Sequence, residues 1–243
     1  AVSDPDNKTE RLRLAKAKVR AKMAKLKLMG MGSVDGIGGI DEDFADKLNE
    51  FVLKGYTLNN EDEYFSCGYA NNILEACGLD RTVEIVITQS GMKKILGQKA
   101  GKQDDAHDLT PIEVLRLPQL IQDPILVMQG NTSDSRLVFI EIPRAGRQMF
   151  AVINIDRKMK LGKYGRYNLI ASVYSQENSK IEEKIKAASA TFKIFYYNSE
   201  KTKSWLTVNR KLQLFAFISA NSMFSEKDFS NTANIEKENE TSK

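Results

Sequence analysis

Apolar and polar residues alternate in several short segments of this chain. In RTVEIVIT, Val83, Ile85 and Ile87 fall on one side of an extended backbone, which predicts a half-buried strand. Further strands are predicted at residues 137–142, 149–155, 169–174 and 192–197. The connections PRAGR and RKMKLGKYGR are too short for crossovers, so they predict an antiparallel meander.

Other segments have helical periodicity. Residues 10–29 combine strong helix formers with a face of Lys and Arg, and IDEDFADKLNEFVLKG predicts a helix from Asp41 to the stop at Gly55. Helices are also predicted at residues 68–77, in SGMKKIL, in KIEEKIKAAS and in KTKSWLTVNRKL. Glycine-rich GMGSVDGIGG, between the first two helices, indicates a linker.

The segment HDLTPIEVLRLPQLIQDP carries sharp helix signals. Thr110 with Glu113 three residues later predicts a capping box, and Pro111 falls on the first helical position. Pro118 restarts the helix and Pro124 ends it. The segment therefore predicts a kinked helical pair.

This order of elements predicts an α+β fold, with N-terminal helices packed on a mainly antiparallel sheet of four to five strands. The helical layer is expected to cover one face and leave the other open to a ligand. The predicted parts are a basic helical arm (1–30), a linker (31–40), the α+β domain (41–223) and a polar, disordered tail (224–243).

Composition and charge narrow the class of protein. In 243 residues, 42% are apolar, with no run long enough to span a membrane and no signal-peptide pattern, which predicts a soluble folded protein. The net charge is +4, but residues 1–30 hold nine Lys and Arg against three Asp and Glu, so the arm carries +6 and the rest −2. The chain starts at Ala1, which suggests a piece of a longer polypeptide.

His107 is the only histidine, and an imidazole is the usual group for acid and base chemistry near neutral pH. A surface residue at a helix entry is the alternative interpretation. Cys67 and Cys77, with one histidine, make no four-ligand zinc site, so they are interpreted as core residues or, alternatively, a disulfide. No metal and no cofactor are predicted.

A metal-independent ribonuclease needs proton transfer at a 2′-hydroxyl and stabilisation of a charged phosphorane. His107, Lys94, Ser172 and Tyr174 could divide these tasks, since Ser172 and Tyr174 share one face of a strand. Phosphate contacts are predicted from Lys93 in SGMKKIL and from Arg157, Lys160, Lys163 and Arg166 in the hairpin, where Lys158 adds to the basic residues and Tyr164 and Tyr167 are interleaved. A solvated hairpin is the alternative for most of these.

The chain also resembles the phage MuF C-terminal domain family from about residue 66 to 197. The likeness lies in the order of CGYANNILEACGL, EIVITQSGMKKIL, His107, LRLPQLIQDPILVM, LIASVY and IFYYN, with a helix containing Trp205 behind it. This family is similar to the fold group of barnase, EndoU, RelE and certain colicin nucleases, mostly metal-independent ribonucleases and toxins.

The resemblance implies a ribonuclease-like toxin or effector domain of a larger phage or mobile-element polypeptide. His107 would be the general acid or base, and Lys94 or Arg157 the phosphate clamp. RNA, with transfer RNA as one candidate, would be the substrate. A cognate immunity protein and the upstream domains would be the partners, and the location would be the virion or the bacterial cytoplasm. Two alternatives stay open: a non-catalytic virion or interaction module that binds protein or nucleic acid, and a transferase.

Overall fold

A computed structural model describes residues 41–98, 109–188 and 193–230 of the protein. The predicted arm, linker and His107 lie outside these ranges. The described helices are α1 (Glu42–Leu53), α2 (Asn72–Ala76), α3 (Gln89–Ile95), α4 (Pro111–Leu115), α5 (Leu117–Gln122), α6 (Asn178–Ala188), α7 (Ser199–Val208), α8 (Leu214–Asn221) and α9 (Lys227–Ser230). The strands are β1 (Tyr64–Tyr69), β2 (Glu84–Thr88), β3 (Leu126–Gln129), β4 (Ser135–Phe139), β5 (Arg147–Leu161), β6 (Lys163–Glu177), β7 (Ile194–Tyr197) and β8 (Ser222–Ser225).

The described strands form one eight-stranded sheet in the order β1-β2-β6-β5-β4-β3-β7-β8. The α+β class is confirmed, but the predicted number of four to five strands is wrong. The pairs β2–β6 and β7–β8 are parallel, so the sheet is mixed. The central meander β3–β4–β5–β6 is antiparallel, as the short connections predict.

The sequence analysis does not predict strands β1, β3 and β8, and each omission has a local reason. Strand β3 is buried throughout its first three residues and therefore shows no alternation. Strand β8 has only four residues. Strand β1 lies partly where a helix was predicted over residues 68–77, because Gly68 has φ +76° and the helix α2 starts only after Asn71, whose side chain caps Leu74 N.

The helix signals around Thr110 are confirmed. Thr110 Oγ1 accepts from Glu113 N, and the Glu113 carboxylate accepts from Thr110 N at 2.9 Å, which completes the capping box. Pro111 is at the start of α4 and Pro118 near the start of α5. Buried side chains of this helical pair, Val114, Leu115, Leu117, Leu120 and Ile121, enter the core.

Helices cover both faces of the sheet, so the expected open face is a wrong prediction. On the first face, α1–α5 pack on residues such as Ile85, Ile153 and Ile170. On the second face, Ile181 of α6, Leu206 of α7 and Ile218 of α8 bury Phe139 and Phe150. Alternation along the strands supplies apolar residues to both faces, so the pattern of one strand does not tell how many layers cover it.

Buried Arg136 ties three parts of the first face together. Its Nε donates to Cys77 O at 2.5 Å and its Nη1 to Ser133 O at 2.8 Å, while the guanidinium lies 4.2 Å from the centre of the Phe195 ring. Gly78 leaves room for this group, because a Cβ there would lie 2.8 Å from Nη2. The loop after α2 is thereby fixed to β4 and β7.

Both cysteines are free and buried in the core. Burial raises the pKa of the Cys67 thiol well above its ordinary value and that of Cys77 to about 12. The core interpretation is therefore confirmed and the disulfide is wrong.

The domain boundary predicted at residue 223 falls inside β8. This strand pairs with β7, and Phe229 of α9 packs against Tyr196 with ring centroids 6.0 Å apart. Residues 224–230 thus belong to the fold, while the remaining part of the predicted tail lies outside the described ranges.

Candidate nucleic-acid interface

The ends of β5 and β6 project from the sheet as a two-stranded ribbon. Strand β4 pairs with β5 only as far as Asn154, and β2 pairs with β6 at Asn168 and Leu169. The ribbon, Arg157–Tyr167, pairs only within itself in the described sheet and turns at Gly162, which has φ +70°. The sequence RKMKLGKYGR was predicted as a turn-like break; instead, the strands continue almost to its centre.

One face of the ribbon is apolar and packed. Leu161 and Tyr167 are buried with Val86, and Tyr167 lies 5.6 Å from the ring of Tyr64. Met159 packs against the same cluster. This contact holds the ribbon against the second face of the sheet beside β1 and β2.

The other face, here called the cationic face, carries Lys158, Lys160, Tyr164 and Arg166. Cross-strand pairing sets Lys158 opposite Arg166 and Lys160 opposite Tyr164. Two like charges opposite each other destabilise a sheet, and residues two apart on a strand repeat at roughly 6.7 Å. A ligand with regularly spaced negative charges would offset that repulsion.

Most of the ribbon's cations have no ion-pair partner among the described residues. Arg166 pairs with Asp156, which lowers the pKa of that carboxyl, and Arg157 lies 4.0 Å from Asp134. No described carboxylate lies within 4.0 Å of the ammonium groups of Lys158, Lys160 and Lys163, which are exposed. Two available cations, Lys158 and Lys160, therefore lie on the cationic face, and a third, Lys163, lies opposite Leu161 next to the turn.

The two tyrosines of the hairpin differ in a way that the sequence does not reveal. Tyr164 is 73% exposed, whereas Tyr167 is 5% exposed. A ring in the position of Tyr164 is able to stack on an unpaired base, and Tyr167 is not. Because Tyr164 and Tyr167 lie three apart on β6, they face opposite sides of the ribbon, and the packing of Tyr167 against Tyr64 decides which of them is buried.

The predicted catalytic residues do not come together among the described residues. Ser172 and Tyr174 share one face of β6, as predicted, but it is the second face, where Tyr174 lies 4.4 Å from the Phe150 ring. Lys93 and Lys94 lie in the last turn of α3, which packs on the first face. The sheet separates the two pairs, so a site built from Lys94, Ser172 and Tyr174 is not formed.

Ser172 and Tyr174 are also poor candidates by burial. Ser172 is 7% exposed and its Oγ has no hydrogen-bond partner among the described residues. Burial raises the pKa of Tyr174 above its ordinary value. Both side chains belong to the packing under α6–α8.

Replacing Ser172 by alanine should therefore raise the free energy of unfolding by about 1 kcal/mol, because it removes a buried hydroxyl without a partner. Urea unfolding followed by circular dichroism measures this change. The matched control is Ser175→Ala on the same strand: Ser175 Oγ accepts from Arg147 Nε at 2.8 Å, so its loss should destabilise by about 1 kcal/mol. Equal destabilisation by both variants would contradict the assignment of Ser172.

Two further expectations concern metals and membranes. Within the described ranges, no group of three or more His, Cys, Asp and Glu side chains is placed to hold a metal ion. None of the described helices is both long and apolar enough to cross a membrane.

Comparison with known proteins gives one match. A family model described as the phage MuF-C-terminal domain matches residues 98–204, from just after α3 to the middle of α7. No curated protein and no solved structure matches the chain. The resemblance predicted for residues 66–197 is thus confirmed from residue 98 onwards, while β1 and β2 lie before the matched segment. Residues 98–204, which include the ribbon, match the phage MuF-C-terminal domain family.

Proposed function

We propose that this domain binds RNA along the cationic face of the ribbon and acts as a metal-independent, ribonuclease-like effector of a larger phage polypeptide. The observation that carries the proposal is the pair Lys158 and Lys160, exposed on one face of a two-stranded ribbon and without an ion-pair partner among the described residues. Phosphates spaced along a nucleic-acid strand provide the negative charge that these two lysines lack. The exposed ring of Tyr164 adds a surface for base stacking.

The catalytic part of the proposal depends on His107 and Lys94. Both described ends of the segment that contains His107 lie at the C-terminal end of α3: Gln98 N donates to Lys93 O at 2.8 Å, and Leu109 N donates to Ile95 O at 3.3 Å. Lys94 lies in that same turn. An imidazole for proton transfer and an ammonium for the phosphorane are the minimum that such a reaction requires.

Incubation of the full chain with total RNA and transfer RNA in a chelating buffer tests this function. We expect cleavage that His107→Ala abolishes and Lys94→Ala reduces by about 10²-fold, because each group acts on the transition state. Ser172→Ala should leave the rate unchanged, since Ser172 lies on the other side of the sheet. Cleavage that survives in His107→Ala would contradict the proposed chemistry.

The second candidate is a non-catalytic nucleic-acid-binding module of the phage particle. The separation of Lys94 from Ser172 and Tyr174 by the sheet favours this candidate, because Ser172 and Tyr174 then cannot act together with Lys94. This candidate predicts RNA binding without any cleavage, and equal binding by the wild type and His107→Ala.

A further inference from the structure

A groove of about 500 Å³ lies at the other end of β5 from the ribbon tip, between α7 and the β4–β5 connection. Helix α7 contributes Lys201, Ser204, Trp205 and Val208 to its wall, at the spacing of one helical face. Ile140, Ile142 and Pro143 line the opposite side. The volume lies within the range of small-molecule sites, which is about 300–1,000 Å³.

The walls combine an aromatic ring, polar groups and positive charge. Trp205 is partly exposed, and Val208, one helical turn further, is 79% exposed. Three of the four charged lining residues are cations, namely Arg144, Arg147 and Lys201, against Glu141. Arg144 is held by Glu113 at 2.7 Å and Lys201 by Asp123. Arg147, which donates to Ser175, has no carboxylate within 4.0 Å among the described residues.

Three buried polar atoms with incomplete hydrogen bonding belong to Trp205, which lines the groove, and to two residues that neighbour other lining residues. Trp205 Nε1, Asn178 Oδ1 and Gln176 Oε1 are buried without a partner among the described residues. Asn178 Nδ2 donates to Asn209 Oδ1, and Gln176 pairs across the strands with Gln148; both Asn209 and Gln148 line the groove. Buried polar groups without partners are rare in native proteins and call for a ligand, water or adjustment on binding.

We propose that this groove binds a mononucleotide unit, with the base against Trp205 and the phosphate near Arg147. A flat ring suits stacking on an indole, and the exposed Ser204 suits the polar edge of a base. Arg147, the lining cation without a carboxylate partner among the described residues, suits a phosphate. The site is independent of the ribbon, because the fifteen residues of β5 place its two ends roughly 45 Å apart. Free nucleotides and the end of an RNA strand share this chemistry.

Trp205 is the only tryptophan in the chain, so its fluorescence reports directly on the groove. Titration with each of the four nucleoside monophosphates should change the emission in a saturable manner below about 10 mM. The parent nucleosides should bind at least about fivefold more weakly, because they lack the phosphate. Trinucleotides with a 5′- or a 3′-phosphate distinguish a terminal RNA unit from a free nucleotide.

Val208 offers a matched pair of charge variants, since its exposure makes either substitution tolerable for folding. Val208→Glu should weaken nucleotide binding at least about fivefold at low salt, and Val208→Lys should strengthen it, with circular dichroism as the check on folding. Nucleosides that bind as tightly as nucleotides, equal affinities of the two variants, or no saturable change with any nucleotide would each overturn the proposal. RNA binding by the ribbon should be the same in both variants, which separates this test from that of the proposed function.

Discussion

The double variant Lys158→Glu/Lys160→Glu should lose about 10²-fold in affinity for a single-stranded RNA at low salt. Both side chains lie on the cationic face and neither has a described ion-pair partner, so their charges are available to phosphates. Each lysine–phosphate contact adds about one to the slope of affinity against salt on logarithmic scales. The slope should therefore fall by about two, as measured by fluorescence anisotropy with a labelled oligonucleotide at several salt concentrations.

A variant with the same change of net charge provides the control. Lys180 and Lys184 lie one turn apart on α6, which follows the end of β6 remote from the ribbon. Lys180→Glu/Lys184→Glu should reduce the affinity by less than about threefold, because these charges act only through the overall field. If both double variants lose affinity equally, the ribbon is not the binding surface and net charge alone attracts the RNA.

The variant Tyr164→Ala tests base stacking separately from charge, because it changes no charged group. Loss of the exposed ring should weaken binding to single-stranded RNA by about 1–3 kcal/mol and leave the salt slope unchanged. Tyr164→Phe should retain the affinity, because stacking requires the ring and not the hydroxyl group.

The largest expected effect on stability is at Arg136. Arg136→Ala should lower the free energy of unfolding by about 3–5 kcal/mol, because it leaves a cavity and deprives the carbonyls of Cys77 and Ser133 of their donor. Arg136→Lys should recover only part of the loss, since an ammonium cannot reproduce the planar fork over Phe195. Chemical denaturation of the purified chain measures both changes.

Arg81→Ala is the matched control for Arg136. Arg81 is exposed, and its Nη1 lies 3.5 Å from Glu75 Oε2, so its loss should cost less than about 1 kcal/mol. If Arg136→Ala is as mild as Arg81→Ala, the loop after α2 is not held by the guanidinium. In that case the packing of Phe195 and Cys77 alone would fix this part of the first face.

Local signals located the capped helices and the central hairpin, but they missed α8 and α9 and started the helix at residues 68–77 too early. The capping box at Thr110 and the stop at Gly55 arise from contacts between residues a few positions apart, so a single sequence contains them in full. The alternation of side chains along β2, β4, β5 and β6 likewise indicates which residues share a face of the sheet. The same reasoning correctly placed Ser172 and Tyr174 on one side of their strand.

The candidate site was less predictable because it depends on distant residues. Whether Ser172 is exposed is decided by α6–α8, which follow it in the chain, and no pattern around Ser172 contains that information. The burial of Tyr167 depends in the same way on Tyr64 and Val86, which precede it in the chain by about 100 and about 80 residues. The lysines of the ribbon were found from the sequence because a cluster of charge is visible without a fold.

The sequence by itself determined the α+β class, the helix boundaries set by caps and prolines, and the resemblance to the phage MuF-C-terminal domain. Only the tertiary structure decided that both faces of the sheet are covered, that Lys94 and Ser172 lie on opposite sides, and that Lys158 stands opposite Arg166 on a projecting ribbon. The physical reason is the separation along the chain of the residues that interact. Caps and alternation arise within one turn or one strand. Layers, registers and grooves require distant residues that meet only when the whole sheet has formed.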